Sequence, residues 1–206
     1  MFLTLILSSF LTFMELNCEN LFDTRHDSLK NDLEFLPDGS YKWMPYRYWA
    51  KLNHLGQEIV AQSNPVPDFV AMCEVENDSV MFDLTRRSLL RNAGYEYVMT
   101  SSPDERGIDV ALLYQPASFS LLHSHSIRIK PLPNTRPTRD ILYASGLVIT
   151  GDTLHIFVVH APSRRGGEVA SRPYRLHVAD RLAAAVDSIY AESRDAKIIV
   201  AGDFND

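Results

Sequence analysis

Four apolar stretches of this chain each end in polar side chains suited to acid, base or metal chemistry. They place Asn17 with Glu19 and Asn20, Glu74 with Glu76, His160, and Asp203 with Asn205 just past the apolar residues. Asn and carboxylate oxygens are hard ligands of the kind Mg²⁺ or Mn²⁺ takes. A histidine beside them could donate to a phosphoryl oxygen or act as acid or base. In sheet proteins such groups gather at strand ends, on loops held by a rigid scaffold. Taken singly, each reads more readily as a solvated turn residue. His123 and His125 alternate on one strand face with no third ligand motif beside them, so they read as half-exposed strand residues. Trp43, Trp49 and the Tyr41–Tyr48 stretch could stack on a base or sugar, but packing at a helix entry is the simpler reading. No phosphate-binding Gly-Lys loop, nucleophile elbow or dinucleotide fingerprint is present.

The elements that must position these groups follow from the pattern. Leu11–Leu16 reads as a first strand. Tyr48–Gln62 places Trp49, Leu52, Leu55, Ile59 and Val60 at helical spacing. Asp68–Cys73 reads as a short buried strand after a Pro-Val-Pro break. A helix is predicted from Asp78, as N-cap, to Gly94. Strands are then predicted at Tyr95–Thr100, Ile108–Tyr114, Phe119–Ile129, Ile141–Thr150 and Thr153–His160. A last helix has Pro173 in its first turn and an apolar stripe of Ala179, Leu182, Ala183, Val186, Ile189 and Tyr190. Lys197–Gly202 reads as a central buried strand, apolar on both faces. The order predicts a single α/β domain over residues 1–206, a layered sandwich of two packed β-sheets flanked by helices.

Composition agrees with one globular domain. Of 206 residues, 46% are hydrophobic and 22% charged, which excludes disordered, collagen-like and coiled-coil classes. The net charge of −6 argues against a protein that grips duplex DNA by bulk charge, though not against a local cationic cleft. The two cysteines, Cys18 and Cys73, are too few for a disulfide framework or a Cys-rich zinc site. They read as core thiols. The apolar run Met1–Met14 is too short to span a membrane. It is similar to the apolar part of an export signal, but lacks a basic start and a clear cleavage site. Export, with residues 1–12 as a signal remnant, and a plain first strand stand as equal readings.

Five motifs occur in order: Asn17-Cys18-Glu19-Asn20-Leu21-Phe22, Cys73-Glu74-Val75-Glu76-Asn77, Arg106-Gly107-Ile108-Asp109-Val110-Ala111, His160-Ala161-Pro162-Ser163 and Gly202-Asp203-Phe204-Asn205. Together they resemble the endonuclease/exonuclease/phosphatase superfamily over about Phe13 to Asp206. The resemblance implies metal-dependent phosphodiester hydrolysis by direct water attack. Phosphomonoesterase and lipid phosphodiesterase activities on the same scaffold are the alternatives, and a catalytically dead remnant is the third. It further implies that Asn17 and Glu74 bind Mg²⁺ or Mn²⁺, with Glu74 the direct carboxylate ligand. Asp203 and Asn205 would orient the water and support the transition state, and His160 would donate to a non-bridging phosphate oxygen. A phosphodiester, with nucleic acid one source, is the implied partner.

Two cationic segments fit an anionic substrate. Arg128, Lys130, Arg136 and Arg139 lie among prolines, and Arg164 and Arg165 follow His160 closely. Arg forks match phosphate geometry. Arg139, beginning a strand, and Arg164 are the candidate substrate contacts, and the others read as solvated loop residues. Relatives of this type continue past the Gly-Asp-x-Asn motif with another Asp and an Asp-His pair, which this sequence lacks. The expectation is therefore an incomplete second sheet and no turnover from these 206 residues alone.

Overall fold

The computed structural model describes residues 10–133 and 135–205. The signal-like reading of residues 1–12 falls largely outside them. Eight strands form two four-stranded sheets. In the first sheet, β1 (Phe13–Leu21), β2 (Phe69–Val75), β4 (Asp109–Tyr114) and β3 (Glu96–Met99) lie side by side in that order. In the second, β5 (Phe119–Ile127), β6 (Ile141–Val148), β7 (Thr153–His160) and β8 (Lys197–Asp203) run in chain order. Only two neighbouring pairs are parallel, β1 with β2 and β7 with β8. A parallel pair needs a crossover. Helix α1 (Pro45–Gln62) supplies the first and α3 (Glu168–Glu192) the second.

Strand alternation builds three apolar layers. Phe69, Ala71, Cys73, Val110 and Leu112 face the second sheet, meeting Phe119, Leu142, Ala144, Ile156 and Val158. The opposite face of β2 and β4 (Val70, Met72, Ala111, Leu113) packs on Leu52, Leu55 and Ile59 of α1. The outer face of the second sheet (Ile141, Phe157, Val159) packs on Val178, Leu182, Val186 and Ile189 of α3. Strands β2 and β4 are thus covered on both sides, which explains their unbroken apolar runs. The expected four-layer α/β sandwich is the observed one.

Several local expectations are corrected. The predicted helix from Asp78 to Gly94 is broken. Asn77, not Asp78, is the N-cap, its side chain accepting from Val80 N at 3.0 Å. Helix α2 (Asp78–Phe82) gives way to a π turn over Asp83–Arg87 and a 3₁₀ turn over Leu89–Asn92. Thr85 and Ser88 bond back to the carbonyls of Met81 and Leu84, and such back-bonding competes with the regular helical ladder. Helix α3 begins at Glu168, so Pro173 lies inside it, where it removes one backbone bond. The buried face of α3 runs through Val178, Leu182, Ala185, Val186 and Ile189, while Ala179, Ala183 and Tyr190 are exposed. Val60 of α1 is likewise exposed. Strand β8, expected to be buried on both faces, is half-buried, and among the described residues it pairs with β7.

Candidate active site

The two crossover units have a consequence for the polar residues. Parallel strands end on the same side, so β1 and β2 deliver Asn17–Asn20 and Glu74 together, while β7 and β8 deliver His160 and Asp203 together. His160 and Asp203 are direct register neighbours. The two sets meet where the sheets meet, since the Asn17 side-chain amide donates to Asp203 Oδ2 at 3.2 Å across the sheet interface.

Backbone conformation marks the same spot. Among the described residues, five non-glycine ones have φ in the left-handed region: Glu19, Asn20, Lys42, Glu74 and Asn205. Four of the five belong to the candidate site. Such a conformation costs of order 1–3 kcal/mol at a non-glycine residue and persists only where surroundings enforce it. Here it coincides with interrupted pairing, between Asn17 and Leu21 in β1 and between Cys73 and Val75 in β2. These bulges turn Glu19–Asn20 and Glu74 out of the ladder, as bulges near functional sites do.

Hydrogen bonds then fix each group. Asn17 Oδ1 accepts from Glu19 N at 2.8 Å, and Glu74 Oε2 from Asn20 N at 2.7 Å. Glu74 Oε1 has no hydrogen bond among the described residues and stands 3.7 Å from His160 Nε2. Asp203 Oδ1 accepts from Asn205 N at 2.9 Å, and Asn205 Nδ2 donates to Ala161 O at 3.0 Å. Arg139 Nη2 reaches the same carbonyl at 2.8 Å. Arg164 Nε donates to Asn205 O at 3.0 Å, which holds the β8 end from outside. Five of the seven candidate residues, Asn17, Arg139, Arg164, Asp203 and Asn205, are thus joined by hydrogen bonds, and Glu74 and His160 lie beside them, 3.7 Å from each other.

His160 is buried, and its Nδ1 has no partner among the described residues. Burial, with Arg139 and Arg106 nearby, pushes its pKa down to about 3. The imidazole is neutral, so its approach to Glu74 is no ion pair. It offers one N–H and one lone pair. Glu76 plays a different part from Glu74. It is buried, its Oε2 accepts from Asp23 N at 2.7 Å, and burial pushes its pKa up to about 8. It supports the loop after β1 and does not face the cluster through that oxygen.

The donor set suits a hard divalent cation. Glu74 Oε1 is unengaged, the Asn17 oxygen retains a lone pair, and the buried Asn20 Oδ1 has no protein partner. Among the described residues no three His, Cys, Asp or Glu side chains converge as a closed metal cage. One carboxylate with amide oxygens, the remaining positions being left to water and substrate, is how Mg²⁺ is commonly held. His123 and His125 face each other at 3.1 Å on exposed β5, away from this cluster. Trp43 is buried and donates to Phe22 O at 2.8 Å, so it packs rather than stacks on a ligand.

One contributor escapes sequence reading. Lys51, on α1, donates to Glu19 O at 2.6 Å and Asn20 O at 3.4 Å, clamping the left-handed pair. Burial lowers its pKa, while Glu19 and Glu74 oppose that shift. A lone lysine on a helix gives no signal of this in sequence.

Residues 12–206 match the Endonuclease/Exonuclease/phosphatase family. The chain belongs to that family. Its fold is also that of solved structures far apart in sequence. The human Nocturnin catalytic domain with bound sulfate is 20% identical, with a TM-score of 0.65 over 95% of this chain and 65% of that one. The Bacteroides thetaiotaomicron mannosyl-6-phosphatase is 16% identical, with a TM-score of 0.66 over 95% and 65%. D. rerio TDP2 complexed with single-strand DNA product is 18% identical, with a TM-score of 0.59 over 95% and 60%. The chain thus spans somewhat under two thirds of each of these structures. Comparison with curated protein sequences gives no match. These identities bear on fold alone.

Proposed function

We propose that this protein is a divalent-cation-dependent phosphoesterase that cleaves a phosphodiester by direct attack of water. The observation that carries the reading is the convergence of four strand ends, with Asn20, Glu74 and Asn205 held in left-handed backbone to present one cluster of hard donors.

Glu74 would bind Mg²⁺ or Mn²⁺, with Asn17 as its amide partner, and the cation when bound supplies charge stabilisation at the phosphoryl oxygens. The Asp203 oxygens, each already accepting one hydrogen bond, keep lone pairs for a water on the second-sheet side. Asn205, tied to Ala161 and Arg164, holds that end of β8 in place. His160, neutral and buried, donates to a non-bridging oxygen as negative charge builds there, and a fixed donor needs no reorganisation at that moment. Arg139, buried beside it, adds a cation on the substrate side. Nucleic acid is the substrate class we favour. The cationic residues around Arg139 support it, as does a structural neighbour seen with a DNA product.

The test is hydrolysis of bis-p-nitrophenyl phosphate by this protein. Turnover should vanish in EDTA and return with Mg²⁺ or Mn²⁺. Undiminished turnover in EDTA refutes the proposal.

A further inference from the structure

We propose that the cleft beside this cluster, between the β5–β6 connection and the first turns of α3, is a second anion subsite. It would hold a phosphate of the substrate adjacent to the scissile one. This rests on the phosphoesterase reading and names the kind of phosphodiester preferred.

The cleft has a volume of about 530 Å³, within the range of small-molecule sites. Its charge is opposite to that of the chain. Arg106, Lys130, Arg136, Arg139 and Arg165 line it against only Asp104 and Glu105, a local excess of three positive charges in a protein of net charge −6. Arg139 pairs with Asp104 at 3.5 Å and Arg136 with Glu105 at 3.4 Å. Arg106, Lys130 and Arg165 have no acidic partner within reach among the described residues. Focusing by low-dielectric walls concentrates such a field on a bound anion.

Unused donors point the same way. Arg139 is 8% exposed, and its Nε is buried with no partner among the described residues. The adjacent Thr138 hydroxyl is also buried and has no partner among the described residues. Buried polar groups normally find partners, and both residues line this cleft. One wall is fixed in advance, because the ring of His177 bonds Lys130 O at 2.8 Å and ties the connection to α3. Pro131, Pro162 and Tyr174 add an apolar surface against which a sugar or base can lie.

Position links the cleft to the reaction centre. The carbonyl of Ala161, next to His160, accepts from Asn205 Nδ2 at 3.0 Å and from Arg139 Nη2 at 2.8 Å. These two nitrogens are therefore no more than 5.8 Å apart, the sum of those distances. A single peptide group separates the two compartments, so a substrate phosphate in the centre has its next anionic group within reach of the cleft.

The test compares thymidylyl-thymidine with its 5′-phosphorylated and 3′-phosphorylated forms in Mg²⁺, and measures binding of thymidine 3′,5′-bisphosphate by calorimetry in EDTA. One terminal phosphate should lower KM at least tenfold, and the double variant Lys130→Gln/Arg165→Gln should remove most of that advantage and weaken bisphosphate binding tenfold. Arg194→Gln removes a charge just past the far end of α3, roughly 23 Å beyond His177, the last α3 residue of the cleft, at 1.5 Å per residue, and should leave the ratio unchanged. Competition by thymidine bisphosphate alone assigns the second phosphate to a nucleotide chain. Equal competition by fructose 1,6-bisphosphate assigns it to a small bisphosphate ester, and competition by neither overturns the subsite. Equal KM values for all three dinucleotides would overturn it too. No hydrolysis of any diester, with bisphosphate binding still dependent on Lys130 and Arg165, would reject the phosphoesterase reading and leave the subsite standing.

Discussion

His160 joins the buried end of β7 to Glu74 on one side and, through Ala161, to Arg139 on the other. Its side chain fills little of the apolar layers, so its removal should register in rate rather than folding. His160→Ala is expected to lower kcat by roughly 10²–10⁴-fold, the range for a lost proton donor or oxyanion donor. A drop in thermal stability with kcat intact would make it a packing residue instead. Asp68 offers a contrasting residue whose work is structural. Burial alone would raise its pKa, but hydrogen bonds from the Ser118 hydroxyl and from the amide and hydroxyl of Thr12 outweigh that and hold it below the ordinary value. A depressed carboxyl stabilises the fold above its unfolded pKa, and this contribution fades as pH falls through the lower folded value. Asp68→Ala should therefore cost about 1–3 kcal/mol at pH 7. In urea titrations the gap from wild type should shrink below pH ~4. A gap that widens on acidification would contradict this assignment.

At the scale of elements, the site depends on bulges and on how closely two strands approach. Gly202 has φ +123, and a Cβ there would lie 2.0 Å from Val159 O in the paired strand. Gly202→Ala is expected to cost about 2–4 kcal/mol through combined strain and overlap and to displace Asp203. An alanine variant as stable as wild type would mean that β7 and β8 are not so closely paired. Lys51→Met releases the carbonyls of Glu19 and Asn20, which should weaken Mn²⁺ affinity about 10–100-fold, as loss of a supporting group does. Unchanged affinity would leave Lys51 without a positioning role. The strands and their polar ends were legible in sequence because β2, β4 and β7 carry long apolar runs that stop abruptly at Glu74, before Asp109 and at His160. What was not legible depends on tertiary partners. Thr85 and Ser88 break a helix that periodicity alone would continue. The buried face of α3 is displaced onto Val178 and Ala185 by the sheet beneath it. Strand β8 reads as buried on both faces by composition, yet Val200 is 38% exposed.

For the whole molecule, the contrast that matters is a −6 chain with a cationic cleft beside its reaction centre. The cleft was legible only in part. Arg139 and the basic segments stood out, but nothing in sequence brings Arg106 from the β3–β4 connection to Lys130 and Arg165. So few cations can contact only a few phosphates. Affinity for single-stranded oligonucleotide should fall with salt at a log–log slope of about −0.7 per phosphate contacted, hence near −2 for the three unpaired cations. A slope beyond about −5 would require an extensive basic surface that the acidic remainder does not supply.

The central claim is that Glu74, with Asn17, holds a divalent cation at the meeting of the two sheets. Electron paramagnetic resonance of Mn²⁺, titrated into the protein and into Glu74→Gln, tests it most directly, with Asp68→Ala as a control of similar charge change. One bound Mn²⁺ per chain is expected in the wild type and the control, and a loss of at least tenfold in affinity in Glu74→Gln. Equal Mn²⁺ binding by wild type and Glu74→Gln would contradict the account.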